Sequence, residues 1–235
     1  MLGVILAAGK GTRMGNINMP KGLLDVGGTS IIKYQIQCFR NLGIQKIIIV
    51  TGYNSEQIKP HLGNTVEYVH NSDFATTNNL YSMWKIHELI IDEFVCVYSD
   101  LLFHKEILKK CLDSNENVCL MVEKNVREET MKVKISDSSI VAVNKQISID
   151  EADGNFIGMA KFTNDGVKSL FNNISKLIKQ DNKDAYYTLA IENMIKSGNE
   201  IGFEYTENYP WLDIDEQEEL EKGREIYKNI IRGTT

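Results

Sequence analysis

Short stretches that are apolar at nearly every position, each closing on a glycine or an aspartate, most constrain what this chain can fold into. They are "GVILAAG" from Gly3, "KIIIVTGY" from Lys46 and "EFVCVYSD" from Glu93, with "VEYVHN" as a further strand between the last two. Helical patterns separate them. In "SIIKYQIQCFRNLG" Ile32, Ile36 and Phe39 fall on one face and Gly43 marks the stop; "SEQIKPHLG" reads as a short helix capped by Ser55. "TNNLYSMWKIHELI" reads as a helix with Leu80, Trp84 and Ile91 on a shared face, and "HKEILKKCLDS" as another. Strands buried on both faces and alternating with helices imply a mostly parallel sheet covered on both sides. The fold expected is α/β, a Rossmann-like mixed sheet flanked by helices. Ligands of such sheets sit beyond the carboxyl ends of the strands. Here that means Gly9 to Arg13, Gly52-Tyr53 and Ser99-Asp100.

The second half changes character. "VCLMVEK", "MKVKISDSSIVAVNKQ" and "NFIGMAKFT" read as strands joined by polar turns, with "DSS" as a hairpin turn. Helices are expected from about Gly166 to Lys179 and from Tyr186 to Ser197, then a strand "IGFEYTE". "YPWLDIDEQEELEKGREIYKNI" reads as a loop entering a charged terminal helix. With no repeat or long linker, residues 1–235 are expected to form a single domain, divided into halves at 1–115 and 116–235. Glu123 to Gln146 is a candidate mobile flap.

Net charge is −6, which speaks against a general nucleic-acid or membrane-surface binder. An anionic ligand must therefore meet a local cluster of cations. Cys38, Cys96, Cys111 and Cys119 form no C-x-x-C pair, and His61, His70, His87 and His104 are scattered. Reduced thiols, a cytoplasmic setting and no histidine metal site follow as expectations. The first apolar run is too short for a signal peptide or a membrane span.

The best cationic cluster is "GKGTRMG", with Lys21 close behind it. Glycines let backbone N–H groups approach an anion closely, and phosphate is the natural guest of such a loop after a first strand. The dinucleotide fingerprint needs G-x-G-x-x-G, whereas Gly9, Gly11 and Gly15 are spaced one residue too wide, and no acidic residue ends the second strand. The P-loop pattern is absent as well. A loop shaped only for a tight turn would not need cations at Lys10, Arg13 and Lys21.

"LAAGKGTRMG" followed by "PKGLLDVGG" resembles the signature of nucleotidyltransferases that activate sugar phosphates and alcohol phosphates. "NNLYSMW", an aspartate ending the fourth strand and "WLDIDEQEEL" extend the likeness along the chain. The small size and the late "DID" are most similar to the bacterial phosphocholine cytidylyltransferase branch. The resemblance implies the nucleotide-diphospho-sugar transferase type of fold. It also implies Mg²⁺-dependent transfer of a cytidylyl group from CTP to a small phosphorylated alcohol, phosphocholine-like, with release of pyrophosphate. Backbone N–H groups of Gly9, Lys10, Gly11 and Thr12 would cradle the β- and γ-phosphates. Arg13 would clamp the leaving pyrophosphate, and Lys21 would neutralise charge between the α-phosphate and the incoming phosphate. Leu6, Ala7, Ala8, Gly52, Tyr53, Thr77, Asn78, Asn79 and Ser99 complete the nucleotide site, although "TTNN" serves equally as a helix cap.

For Mg²⁺ the resemblance implies Asp100 and one aspartate of "WLDID", Asp215 in preference to Asp213. The plain alternative for Asp215 is the N-cap of a capping box in "DEQE". The first half would hold the nucleotide and the second the acceptor. A quaternary ammonium wants aromatic faces and a carboxylate, which nominates Tyr186, Tyr187, Trp211, Phe103 and Tyr209 with Asp153, Glu192 or Asp184. A sugar-1-phosphate nucleotidyltransferase using another NTP, and a nucleotide-binding regulatory protein without turnover, stay open. So does a homodimer.

Overall fold

The computed structural model describes residues 1–15 and 18–232, the last without its side chain. Eleven strands and seven α-helices are named here in chain order. The first half runs β1 (Leu2–Ala7), α1 (Ile31–Asn41), β2 (Ile47–Thr51), α2 (Ile58–Leu62), β3 (Glu67–His70), α3 (Asn79–Trp84), β4 (Phe94–Tyr98), β5 (Leu101–Phe103) and α4 (Lys105–Asp113). The second runs β6 (Val118–Glu123), β7 (Lys132–Ser136), β8 (Ser139–Asn144), β9 (Gly154–Phe162), α5 (Asn164–Lys179), α6 (Thr188–Lys196), β10 (Gly202–Tyr205), β11 (Trp211–Asp213) and α7 (Gln217–Arg232).

The main sheet has the order β10-β6-β9-β4-β1-β2-β3. β1 pairs in parallel with both β2 and β4, β2 with β3 and β6 with β10; β9 is antiparallel to β4 and β6. This is the mixed, mostly parallel sheet expected. Strand order reverses between β1 and β4, because the chain winds outward through β2 and β3 and then returns to the other side of β1. That reversal is where open α/β sheets bind ligands.

β1 shows why these strands are apolar throughout. Ile5 and Ala7 pack into one helix-covered layer with α1, and Val4 and Leu6 into the other with α3, α5 and α6; all four are buried. Gly52 follows β2 because a Cβ there would lie 2.6 Å from the carbonyl oxygen of Ala8. All four cysteines are buried and unbridged. No helix of the described residues is long and apolar enough to cross a membrane.

Several expectations give way. The turn before α2 is entered through Asn54 at φ 46°, not capped by the Ser55 hydroxyl. α3 ends at Trp84, where the chain breaks into turns, and Ile91 is 84% exposed rather than sharing a buried face with Leu80. The segment 123–146 contains the β7–β8 hairpin, whose Val133, Ile140 and Val143 are buried against the domain, so it is not a detached flap. "WLD" forms β11, antiparallel to β5, with Asp213 opposite Leu101. A three-residue strand pairing across the whole chain has no local signature.

Candidate active site

β1 delivers the glycine-rich loop to the switch point. Gly11 takes φ 62° and opens a 3-10 turn, Thr12–Met14, whose Met14 is buried and pins the loop. Gly9, Lys10, Thr12 and Arg13 are left exposed. Lys21 passes directly beneath: a Cβ on Gly11 would meet the Lys21 stem at 2.8 Å. Glycine is therefore required at position 11 both by backbone sign and by the lysine it covers.

β4 ends opposite this loop, and the Ser99 N–H donates to the Leu6 carbonyl at 3.1 Å. Asp100 follows. The buried Gln35 of α1 holds the turn by donating to the carbonyls of Tyr98 and Leu101 at 2.8 and 2.7 Å. The β5–β11 ribbon then brings in the C-terminal aspartates, with the Ile214 N–H donating to the Asp100 carbonyl at 3.1 Å. Asp100, Asp213 and Asp215 each offer a carboxylate oxygen within 4.8 Å of the others.

The cations meet this cluster. Arg13, 54% exposed, reaches Asp215 Oδ2 at 2.6 Å. Lys21, only 10% exposed, binds Asp215 Oδ1 and lies 3.5 Å from Asp100 Oδ2. Burial opposes charge on Lys21, but Asp100 and Asp215 outweigh it and hold the ammonium pKa above its usual value. Asp100 is pushed up by burial and by Asp215, against the pull of Lys21. Asp213 rises well above the carboxylate range through burial and then through Asp100 and Asp215. Its Oδ1 is buried with no hydrogen-bond partner. A buried carboxylate oxygen without a donor, facing two more carboxylates, is the donor set of a hard divalent cation, and the site fits Mg²⁺.

Asp215 is not the helix N-cap. Glu219 accepts the N–H groups of Asp215 and Glu216 at 2.6 and 3.0 Å, closing the start of α7 from within the helix. Both oxygens of Asp215 are thereby left to Arg13 and Lys21.

A cleft of about 710 Å³ opens from this cluster. Leu6, Ala8, Gly9, Lys10, Gly11, Thr12, Arg13, Lys21, Ser99 and the three aspartates line it, as do Thr77, Asn78, Asn79, Tyr186 and Trp211. The polar groups of "TTNN" are engaged with the framework. Asn78 caps α3 by accepting from the Asn79 N–H, and the Thr77 hydroxyl donates to the Asp73 carbonyl. Asn79 links the halves, accepting from the Tyr187 N–H at 2.8 Å and donating to the Tyr98 hydroxyl at 3.1 Å.

Other expected residues stand elsewhere. Ala7, Gly52 and Tyr53 support the loop from behind; the Tyr53 N–H donates to the Ala8 carbonyl. Tyr187 and Phe103 are fully buried, Tyr209 stacks on His104, and Asp184 is exposed outside the cleft wall. Asp153 accepts from the Ile135 N–H, and Glu192 from the Val143 N–H and the Asn144 amide. These carboxylates satisfy backbone donors of the hairpin, which is why they do not face a ligand.

Unforeseen are Asn71, Phe74, Ser82, Tyr98, Arg127, Glu129, Thr130, Met131, Lys145, Asn155 and Phe156 in the cleft wall. Asn71 had a signal, since it ends the third strand of "VEYVHN". Its side chain donates to Thr77 and Ser82 and accepts from the Asp73 N–H, organising the whole 71–82 wall.

A doubly wound sheet with a glycine-rich cationic loop and an acidic cluster at its switch point defines the nucleotidyltransferases of the nucleotide-diphospho-sugar transferase fold. Residues 3–158 match the MobA-like NTP transferase domain, and the chain belongs to that family. It is 25% identical to the CTP:phosphoglutamine cytidylyltransferase of Campylobacter jejuni, covering 94% of this chain and 98% of that one. It is 28% identical to the choline-phosphate cytidylyltransferase of Streptococcus pneumoniae, over 97% of this chain and 99% of that one. A solved CTP:phosphocholine cytidylyltransferase from Streptococcus pneumoniae superimposes with a TM-score of 0.80 at 25% identity, covering 96% of this chain and 99% of that one. The protein is a nucleotidyltransferase with cytidylyltransferase relatives.

Proposed function

We propose that this enzyme transfers a cytidylyl group from CTP to a small phosphorylated acceptor, with Mg²⁺ bound. The observation that carries the reading is the convergence of Arg13 and Lys21 on Asp100, Asp213 and Asp215 beneath the glycine-rich loop. In the proposed reaction an oxygen of the acceptor phosphate attacks the α-phosphorus of CTP in line, and the bond to the bridging oxygen of pyrophosphate breaks. Such chemistry needs positioning and charge neutralisation more than covalent help.

The N–H groups from Gly9 to Thr12 cradle the β- and γ-phosphates. Arg13 takes the leaving pyrophosphate with its planar fork, and Lys21 bridges the α-phosphate and the incoming phosphate. Asp215 parks both cations while the site waits for substrate. Asp100, Asp213 and Asp215 would hold the Mg²⁺: Asp213 has the unpartnered oxygen, and Asp215 is freed when Arg13 and Lys21 turn to the phosphates. The ion supplies charge neutralisation of the triphosphate. The backbone of Leu6 to Ala8 and the Asn71-organised wall receive the base. On this reading residues 1–115 hold the nucleotide and 116–235 the acceptor.

Pyrophosphate release with Mg²⁺ tests it, crossing CTP, UTP, GTP, ATP and dTTP against phosphocholine, phosphoethanolamine, O-phosphoserine, phosphoglutamine, inositol phosphate and hexose 1-phosphates. Release with CTP and a non-sugar phosphate is the expected result. Release only with a hexose 1-phosphate, or only with another nucleotide, would overturn it.

A further inference from the structure

The cleft wall carries two aromatic side chains, Trp211 and Tyr186, and each has a cation over one face. The Arg127 guanidinium lies over Trp211, 5.1 Å from the ring centroid. The Lys145 ammonium lies over Tyr186 at 4.9 Å and is 3.3 Å from its hydroxyl oxygen. Both cations line the cleft and, among the described residues, neither is in an ion pair. Glu129 shares that wall and leaves them unpaired.

The loops bearing them are built in. Asn155, 1% exposed, donates to the Asn125 carbonyl at 2.5 Å and accepts from the Arg127 N–H at 3.2 Å and the Thr130 hydroxyl at 2.5 Å. Buried Lys132 donates to the carbonyls of Glu128 and Lys145 at 2.7 and 3.0 Å, joining the Arg127 loop to the Lys145 loop.

An ammonium-bearing acceptor needs open aromatic faces and a nearby carboxylate. Here each ring already holds a side chain of the same charge as that acceptor, which would repel it. A guanidinium fork and an ammonium, carried into one cleft on joined loops, are complementary to a carboxylate. Resting on the reading above of this cleft as an acceptor site, we propose that the acceptor carries a carboxylate besides its phosphate, received by Arg127 and Lys145.

O-phosphoserine and phosphoethanolamine differ by one carboxylate, and phosphocholine presents a fixed cation. Calorimetric titration of each into the enzyme holding Mg²⁺ and a CTP analogue that cannot release pyrophosphate reads the preference directly. O-phosphoserine should bind on the order of tenfold tighter than phosphoethanolamine, with phosphocholine weakest, as one charge-assisted hydrogen bond predicts. Arg127→Gln, on an exposed side chain, should bring the first two within about twofold of each other. Phosphocholine binding as tightly as O-phosphoserine, no binding by any of the three, or an equal loss for all three in Arg127→Gln would overturn the proposal. That last result would put the guanidinium on the phosphate itself. The preference appearing without any pyrophosphate release from CTP would count against the function and leave this inference standing.

Discussion

The proposed nucleotide and acceptor ends of the cleft are built on opposite plans. At the nucleotide end the groups sit at the tips of parallel strands and come mainly from one short segment, Gly9 to Lys21, completed by Asp100 after β4. At the acceptor end the groups come from the 125–131 loop, the turn after β8, β9, the segment before α6 and β11. The first end is held by backbone geometry, a left-handed glycine and strand termini. The second is held by two buried side chains, Asn155 and Lys132, that tie loops by their carbonyls. Connecting loops tolerate change better than the elements they join. One framework can thus keep its nucleotide chemistry while changing its acceptor.

If that division holds, the largest effect belongs to Lys21. Lys21→Ala should lower kcat by on the order of 10²–10³, the usual loss of one preorganised charge stabiliser. The loss should appear with every acceptor tried, because Lys21 acts on the reacting phosphates. Steady-state pyrophosphate release checks it, and a loss confined to one acceptor would break the contrast between the ends.

Arg13 sharpens the contrast differently. Its side chain is half exposed, so its ion pair with Asp215 adds at most about 1 kcal/mol to stability. Arg13→Ala should lower kcat/KM for CTP by on the order of 10² while thermal unfolding stays nearly unchanged. A large fall in melting temperature would make the residue a structural tie instead.

The same contrast explains what was legible in the sequence. The parallel strands declare themselves by unbroken apolar runs such as "KIIIV", and the loop by its glycines and cations at fixed spacing. Lys21 stood out beside that loop and Asp100 at a strand end, whereas Asp215 was marked only by the family resemblance. That Asp215 is spared from capping α7 was not legible, because it depends on Glu219 reaching back to close the helix. The acceptor end was the least legible. Asp153, Glu192 and Tyr187 have the right chemistry for a ligand, but a carboxylate serves equally to satisfy a backbone N–H and a tyrosine to fill a core. Arg127 and Lys145 sit in stretches with no periodicity or motif. They come over Trp211 and Tyr186 through long-range pairing of β7 with β8 and β9 and the ties made by Asn155 and Lys132.

Asn155 tests whether the acceptor end is a separate unit. Asn155→Ala strands the Asn125 carbonyl and the Arg127 N–H and should lower unfolding free energy by about 2 kcal/mol. Acceptor KM should rise several-fold and CTP KM should not. Urea unfolding with paired steady-state kinetics reads both, and equal shifts in the two KM values would merge the ends into one unit.

The smallest effect is expected at Lys132. Its buried ammonium bonds to two carbonyls and no carboxylate, so it acts through hydrogen bonds to the backbone. Lys132→Met keeps the length and apolar stem and removes the donors. Glu128 and Lys145 are exposed residues, so water can replace part of what their carbonyls lose, which limits the cost to about 1 kcal/mol. The consequence is positional: the Arg127 and Lys145 loops are no longer joined, so acceptor KM should rise about threefold at unchanged kcat. Lys132→Arg, which restores donors on a longer side chain, should recover part of that. If Met and Arg raise KM alike, the loops are held by the hairpin itself. The acceptor end would then be as much a product of strand pairing as the nucleotide end.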